Sequence, residues 1–183
     1  MTDWSVLGTL QAVPALDRPD LIGDPVALAL KALDPADAAL VGVAEIDPDL
    51  ADTAQFCAAY SSPLERSANC VVVAGRRGED TRYAGCLVLA TTRADVNGLV
   101  RKRLNARKAS FAPMDDAVEL TGMEYGGITA IGLPEGWPLL VDAAVAAASA
   151  VVIGSGIRGS KLALPGELAA KLPGAEVVEG LGR

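Results

Sequence analysis

Three observations on this 183-residue chain predict an α+β fold: a mixed, largely antiparallel sheet flanked by helices. A β-branched run at residues 67–75, "SANCVVVAG", is followed by a charged turn, "RRGEDT", and a second apolar run, "RYAGCLVLAT". That order reads as a hairpin. A second hairpin is predicted where "SAVVIG" and "GSKLALP" flank a glycine turn. The helical segments are short and irregularly spaced, unlike the regular alternation of a parallel doubly wound sheet.

The elements follow in order. Residues 23–33 read as a helix, with Asp24 as cap and Pro25 at the first helical position, where its missing N–H would be unpaired anyway. Residues 39–46 read as a strand and 49–60 as a helix with Leu50, Phe56 and Tyr60 among its apolar positions. After the first hairpin, residues 94–105 read as a helix capped by Asp95, and 108–112 as a short extended piece. Residues 113–122 form a helix that starts near Pro113 and stops at Gly122. Residues 138–141 are a strand and 142–148 a brief helix; after the second hairpin come a helix at 165–172 and a strand at 175–179. The count is about seven strands and about six helices. Residues 1–38 carry no strand signal and form either an appended helical arm or a first helical layer on the sheet.

The chain is long enough for one domain with its own core, and its hydrophobic fraction of 51% fits a globular protein. The longest apolar run is interrupted by Asp142 and falls short of the ~20 residues a membrane span needs. The N-terminus lacks a basic leader and carries Asp3, so a cytoplasmic location is expected. Cys57, Cys70 and Cys86 form no CxxC pair and read as reduced, buried thiols. The absence of histidine excludes a Ser-His-Asp or Cys-His relay and any His-ligated zinc. Neither a metal nor a cofactor is expected.

The net charge of −7 is unevenly spread. Acids dominate up to Asp52, where only Arg18 and Lys31 oppose them. Between residues 76 and 108 bases dominate, densest at Arg101, Lys102, Arg103, Arg107 and Lys108. Such a segment can meet phosphate, or it can be a solvated helix face with loop charges. The sequence "GSGIRG" at residues 154–159 matches a dinucleotide-binding pattern, but "SKLALP" after it is extended where a helix should open, so a hairpin is the better account.

Residues 122–142, "GMEYGGITAIGLPEGWPLLVD", concentrate glycine and end on an acid. They are either a plain connector or a loop that wraps a ligand with backbone N–H groups. The order and spacing here resemble the YbaK/ProX family of aminoacyl-tRNA deacylases, which includes the editing domain inserted in bacterial prolyl-tRNA synthetases. The matching features are Thr121-Gly122, the loop from Gly126-Gly127 to Gly132, Val141-Asp142, the hairpin glycines Gly154 and Gly156, and the helix from Pro165 to Leu168. The resemblance covers residues from about 40 to about 180 and divides the chain into an arm at 1–38 and a deacylase-like domain at 39–183.

The resemblance implies the YbaK/prolyl-tRNA synthetase-associated domain fold, with a mixed, largely antiparallel curved sheet flanked by helices. It implies trans-editing hydrolysis of the ester of a mischarged aminoacyl-tRNA, or a non-catalytic binding module on the same fold. The tRNA acceptor end is the implied partner; the acidic arm could meet a protein. Implied catalytic positions are Asn69, Gly126, Gly127 and Asp142, with Tyr125, Thr129, Ala130 and Gly156 around the aminoacyl group. The five densest bases would contact tRNA. Two positions depart from the family pattern. Asn69 stands where a pocket lysine is usual, with Cys70 for threonine after it, and Ala130 replaces the loop proline. The pocket is therefore expected to lack that cation. Each residue also has a plainer role: Asn69 as a partner for neighbouring backbone, Cys70 as a core thiol, Asp142 as a helix cap, Tyr125 and Thr129 as loop residues. Gly126 and Gly127 stand out because a Gly–Gly pair has no evident packing purpose of its own.

Overall fold

The computed structural model describes residues 3–183. In chain order the strands are β1 (Val13–Pro14), β2 (Gly42–Glu45), β3 (Ala68–Arg77), β4 (Asp80–Leu89), β5 (Lys108–Phe111), β6 (Leu139–Asp142), β7 (Val151–Gly154), β8 (Ser160–Leu164) and β9 (Ala175–Val178). The helices are α1 (Asp24–Ala32), α2 (Pro35–Ala38), α3 (Thr53–Tyr60), α4 (Arg101–Arg103), α5 (Met114–Thr121), α6 (Ala143–Ala146) and α7 (Gly166–Ala169). A π-helical turn, Val96–Val100, runs directly into α4.

The strands make two sheets rather than one. The first is antiparallel throughout, in the order β1-β2-β8-β7. The second has the order β5-β3-β4-β6-β9, antiparallel among β5, β3 and β4 and parallel from β4 through β6 to β9. A single bridge between Ser67 and Val152 joins them. Both expected hairpins are present: β3 and β4 pair from Ala68–Leu89 to Arg77–Asp80, and β7 pairs with β8 around residues 155–159.

Period-two alternation sorts the side chains. Leu139 and Val141 of β6 enter the main core with Val43, Leu87, Ile153, Leu162 and Leu164. Leu140, between them, enters a second cluster with Val73, Cys86, Val96, Val100 and Leu181 on the other face of its sheet. Likewise Ala44 and Ala163 turn away from the main core toward a third cluster with Leu7 and Phe56. Both faces of both sheets are covered, so strands such as "LLVD" read as continuous apolar runs.

Residues 3–38 lie on the sheets as a layer, and the first two residues of the expected arm lie outside the described residues. Ala15, Leu21, Ile22, Val26 and Leu30 belong to the main core, and Leu7 packs beside Phe56. β1 adds a strand where none was expected, because two residues are too few for any periodic signal. Two capping details also differ. Gly23, not Asp24, is the N-cap of α1, and Asp24 lies inside the helix. α3 starts only after a 3₁₀ turn at Pro48–Leu50, with the Asp52 carboxylate accepting from the N–H groups of Ala54 and Gln55.

Leu30 is fully buried. Leu30→Ala should cost about 2–5 kcal/mol in a urea melt, the range for a buried leucine in a shared core. A change under about 0.5 kcal/mol, as for a surface residue, would mean that α1 is not part of that core.

Candidate active site

A cavity of ≈ 520 Å³ opens beside the start of β3. Ala68 to Val72 form one wall, with Phe111, Ala112, Met114 and Ala117 from the end of β5 and α5. Tyr125, Gly126 and Ile128 come from the glycine loop, Gly154 and Lys161 from the second hairpin, and Ala51, Asp52 and Thr53 from the approach to α3. Tyr125, Phe111 and Met114 are exposed at 59%, 58% and 47%, and form the rim; Lys161, at 7%, lies deep.

The glycine loop is stitched to the β7–β8 hairpin through backbone. Gly156 N–H donates to Gly127 O at 2.8 Å, Glu124 N–H to Gly156 O at 2.9 Å and Gly127 N–H to Glu124 O at 2.9 Å. A Cβ on Gly127 would lie 2.5 Å from the carbonyl oxygen of Ile157. Gly127 thus has a packing role, contrary to expectation, and its N–H is already bonded within the loop. It does not line the cavity. Gly126 and Ile128 do, and neither has an acceptor for its N–H among the described residues. Gly126 takes φ 78°. Beside it Arg158 straps the mouth, donating to Tyr125 O at 3.2 Å and Pro48 O at 3.1 Å, its guanidinium 5.7 Å from the Tyr125 ring centre.

Asn69 accepts from the Thr53 hydroxyl at 2.9 Å. Its amide N–H pair has no acceptor among the described residues and is available as a donor. Position 69 supplies no cation, but Lys161 brings one to the cavity from β8. Its ammonium donates to Ala51 O at 2.8 Å and sits 5.5 Å from the Phe56 ring centre. Burial pushes its proton affinity below the ordinary lysine value, opposed by the nearby Cys57 and Asp52 side chains. Among the described residues no carboxylate pairs with it within 4.0 Å. Sequence reading passed over Lys161 because a lone lysine in an apolar strand carries no local motif. Cys70 lines the cavity as an inert thiol, its pKa raised by burial.

Other expected site residues lie elsewhere. Asp142 is buried, and its carboxylate accepts from Gly182 N–H at 3.2 Å; it makes no side-chain cap to α6 and does not line the cavity. Thr129 and Ala130 are buried, and the Thr129 hydroxyl has no partner among the described residues. Gly156 packs on Gly23 and Val26. Among the described residues no three His, Cys, Asp or Glu side chains gather as a metal-binding group. No helix among them is long and apolar enough to cross a membrane.

The basic segment forms a second cavity, also ≈ 520 Å³, lined by Arg76, Asn97, Arg101, Arg107, Lys108 and Ser110. Arg76 is a member that the sequence did not single out. Arg103 points to another partner, an ion pair with Glu176 on β9, and Lys102 does not line the cavity. β5 connects the two places: Lys108 to Ser110 line the basic cavity, and Phe111 lines the first.

The architecture and cavity define a two-sheet α+β domain with a ligand-sized pocket walled by a glycine loop. Residues 47–172 match the aminoacyl-tRNA editing domain model, and the chain belongs to that family. No curated protein matches it in sequence. Among solved structures it is similar to one described as a candidate trans-editing enzyme for prolyl tRNA synthetase, with 18% identity over 86% of this chain and 97% of that one, TM-score 0.70. A hypothetical protein is similar at 19% identity, over 87% and 100% of the chains, TM-score 0.73. A protein from Marinobacter aquaeolei VT8, described as acting in signal transduction, shares the fold over 85% of this chain but 30% of its own, at 19% identity and TM-score 0.58. These likenesses fit the α+β architecture expected from the sequence.

Gly127→Ala tests the stitching. Its methyl would meet hairpin backbone, which cannot rotate away, so a loss of about 1–3 kcal/mol is expected in a urea melt with unchanged slope. An unperturbed midpoint would show that the loop does not depend on this contact.

Proposed function

We propose that the protein is a trans-editing aminoacyl-tRNA deacylase, acting in the cytoplasm on the ester between a mischarged amino acid and the tRNA 3′-terminal ribose. The observation that carries this reading is the first cavity, which combines unpartnered N–H donors with a rim of exposed aromatics in a chain of the editing-domain family. Its volume falls within the range of small-ligand sites.

In the reaction, water adds to the ester carbonyl carbon, and the bond to the ribose oxygen breaks. The ribose oxygen takes a proton, leaving free tRNA and free amino acid. Negative charge develops on the carbonyl oxygen. The Asn69 amide and the N–H groups of Gly126 and Ile128, all from residues of the cavity lining, would receive it. The chain has no histidine, and this reading draws its rate from such donors and from positioning of the water. Phe111 and Tyr125 offer stacking faces for the terminal adenine, the usual way an unpaired base is held. Arg76, Arg101, Arg107 and Lys108, with Lys102 nearby, would hold the acceptor-strand phosphates along β5. Arg103 has a weaker claim, since Glu176 already neutralises it.

A panel of mischarged tRNAs tests the activity. At least one should lose its amino acid well above the spontaneous rate. Asn69→Ala should slow that turnover by about 100-fold or more if the amide is an oxyanion donor. Tight tRNA binding without turnover on any member would favour the binding-module reading.

Salt dependence tests the basic cavity. Changing Arg76, Arg101, Arg107 and Lys108 to Gln should weaken tRNA binding at low salt and flatten the log–log salt slope by about 0.7–0.9 per lost contact. Arg103→Gln should change little. Equal binding by the quadruple variant would place the tRNA on another face.

A further inference from the structure

The cavity holds two opposite charges that the deacylase reading does not use. Lys161 is buried, with one of its three donors on the Ala51 carbonyl. Asp52, the next residue, also lines the cavity. Both backbone N–H groups that Asp52 caps bond to Oδ1, and Oδ2 has no donor among the described residues. Lys161 bonds the carbonyl of Ala51, the residue before Asp52, and both side chains line the cavity, yet among the described residues they form no ion pair within 4.0 Å. A buried ammonium bonded to a single neutral carbonyl retains capacity for a further polar partner.

Polar and apolar groups share the lining. Thr53 bonds Asn69 and Lys161 bonds the carbonyl next to Asp52, while Val71, Ile128, Met114 and Ala117 supply apolar surface. An aminoacyl ester has the matching form. Its α-ammonium is attached to the carbon next to the ester carbonyl, and its side chain leaves from that same carbon. A carboxylate and an ammonium close together but unpaired present complementary partners for the first two groups.

We infer that Asp52 and Lys161 read the charged core of the aminoacyl ester: Asp52 receives the α-ammonium, and Lys161 donates to the ester carbonyl oxygen. This rests on the deacylase reading and deepens it. Lys161 then joins Asn69 as a donor to the oxyanion, and Asp52 makes a free α-amine a requirement. N-blocked esters, including peptidyl-tRNA, lack the cation and leave Asp52 without its partner. A charge-assisted hydrogen bond of this kind is worth about 10–100-fold in affinity.

The test compares a free aminoacyl-tRNA, the best substrate of the panel, with its N-acetylated form. The parent should cleave the acetylated ester with kcat/KM about 10–100-fold lower. Asp52→Asn keeps a competent cap, since asparagine caps as well as aspartate. It should lose a similar factor on the free substrate and respond little to acetylation, the non-additivity expected of a direct contact. Lys161→Met keeps the straight chain and removes the donor; kcat should fall about 100-fold or more, with tRNA affinity unchanged. The inference is overturned if the parent cleaves both esters equally, if Asp52→Asn keeps the discrimination, or if a folded Lys161→Met protein matches the parent rate. Should the parent turn over no tRNA, the deacylase reading fails on its own. The recognition is then measured by calorimetry with a 3′-aminoacylamido-adenosine and its N-acetyl form: tighter binding of the free amine supports it, and equal binding or none overturns it.

Discussion

The contact on which the site depends is backbone against backbone, between the glycine loop and the β7–β8 hairpin. Two hydrogen bonds hold it, Gly156 N–H to Gly127 O and Glu124 N–H to Gly156 O, with no side chain at Gly127 or Gly154 to keep the strands apart. A Cβ on Gly154 would lie 2.7 Å from Gly127 O, so the requirement is mutual. Once the loop is seated, Gly126 and Ile128 face the cavity, and Lys161 on the returning strand completes the polar end. Loop and cation are therefore set by one close approach.

That arrangement puts a lysine in a costly place. An ammonium removed from water must recover its lost hydration from protein partners or give up its proton. Lys161 has one carbonyl and the ring face of Phe56, which attracts a cation modestly. In the β8 alternation Lys161 shares a face with Ala163, and so points to the Phe56 side of its sheet rather than into the main core. The period-two geometry that builds the core also delivers the charge to the deep part of the cavity.

Much of the fold was legible. Turn chemistry and β-branched runs marked both hairpins, and Gly122 marked the end of α5, because these signals act within a few residues. The division into two sheets was not legible, since it rests on pairings such as β2 with β8 and β4 with β6 that join distant segments. Of the residues that the family pattern flagged, Asn69, Tyr125 and Gly126 line the cavity. Gly127, Asp142, Ala130 and Gly156 lie outside its lining, where they seat the loop, bond Gly182, and pack under or beside the loop.

By itself, then, the amino-acid sequence determined the local elements, the two hairpins, the family pattern of the second half and the crowding of bases between residues 76 and 108. Each depends on neighbours in the chain or on composition. Only the tertiary structure decided that Lys161 and Asp52 meet Asn69 in one cavity, and that Arg76 joins Arg101, Arg107 and Lys108 while Arg103 turns to Glu176. The physical reason is the same in both cases. A charge takes its meaning from the groups packed around it, and those come from strands and helices that lie far apart along the chain.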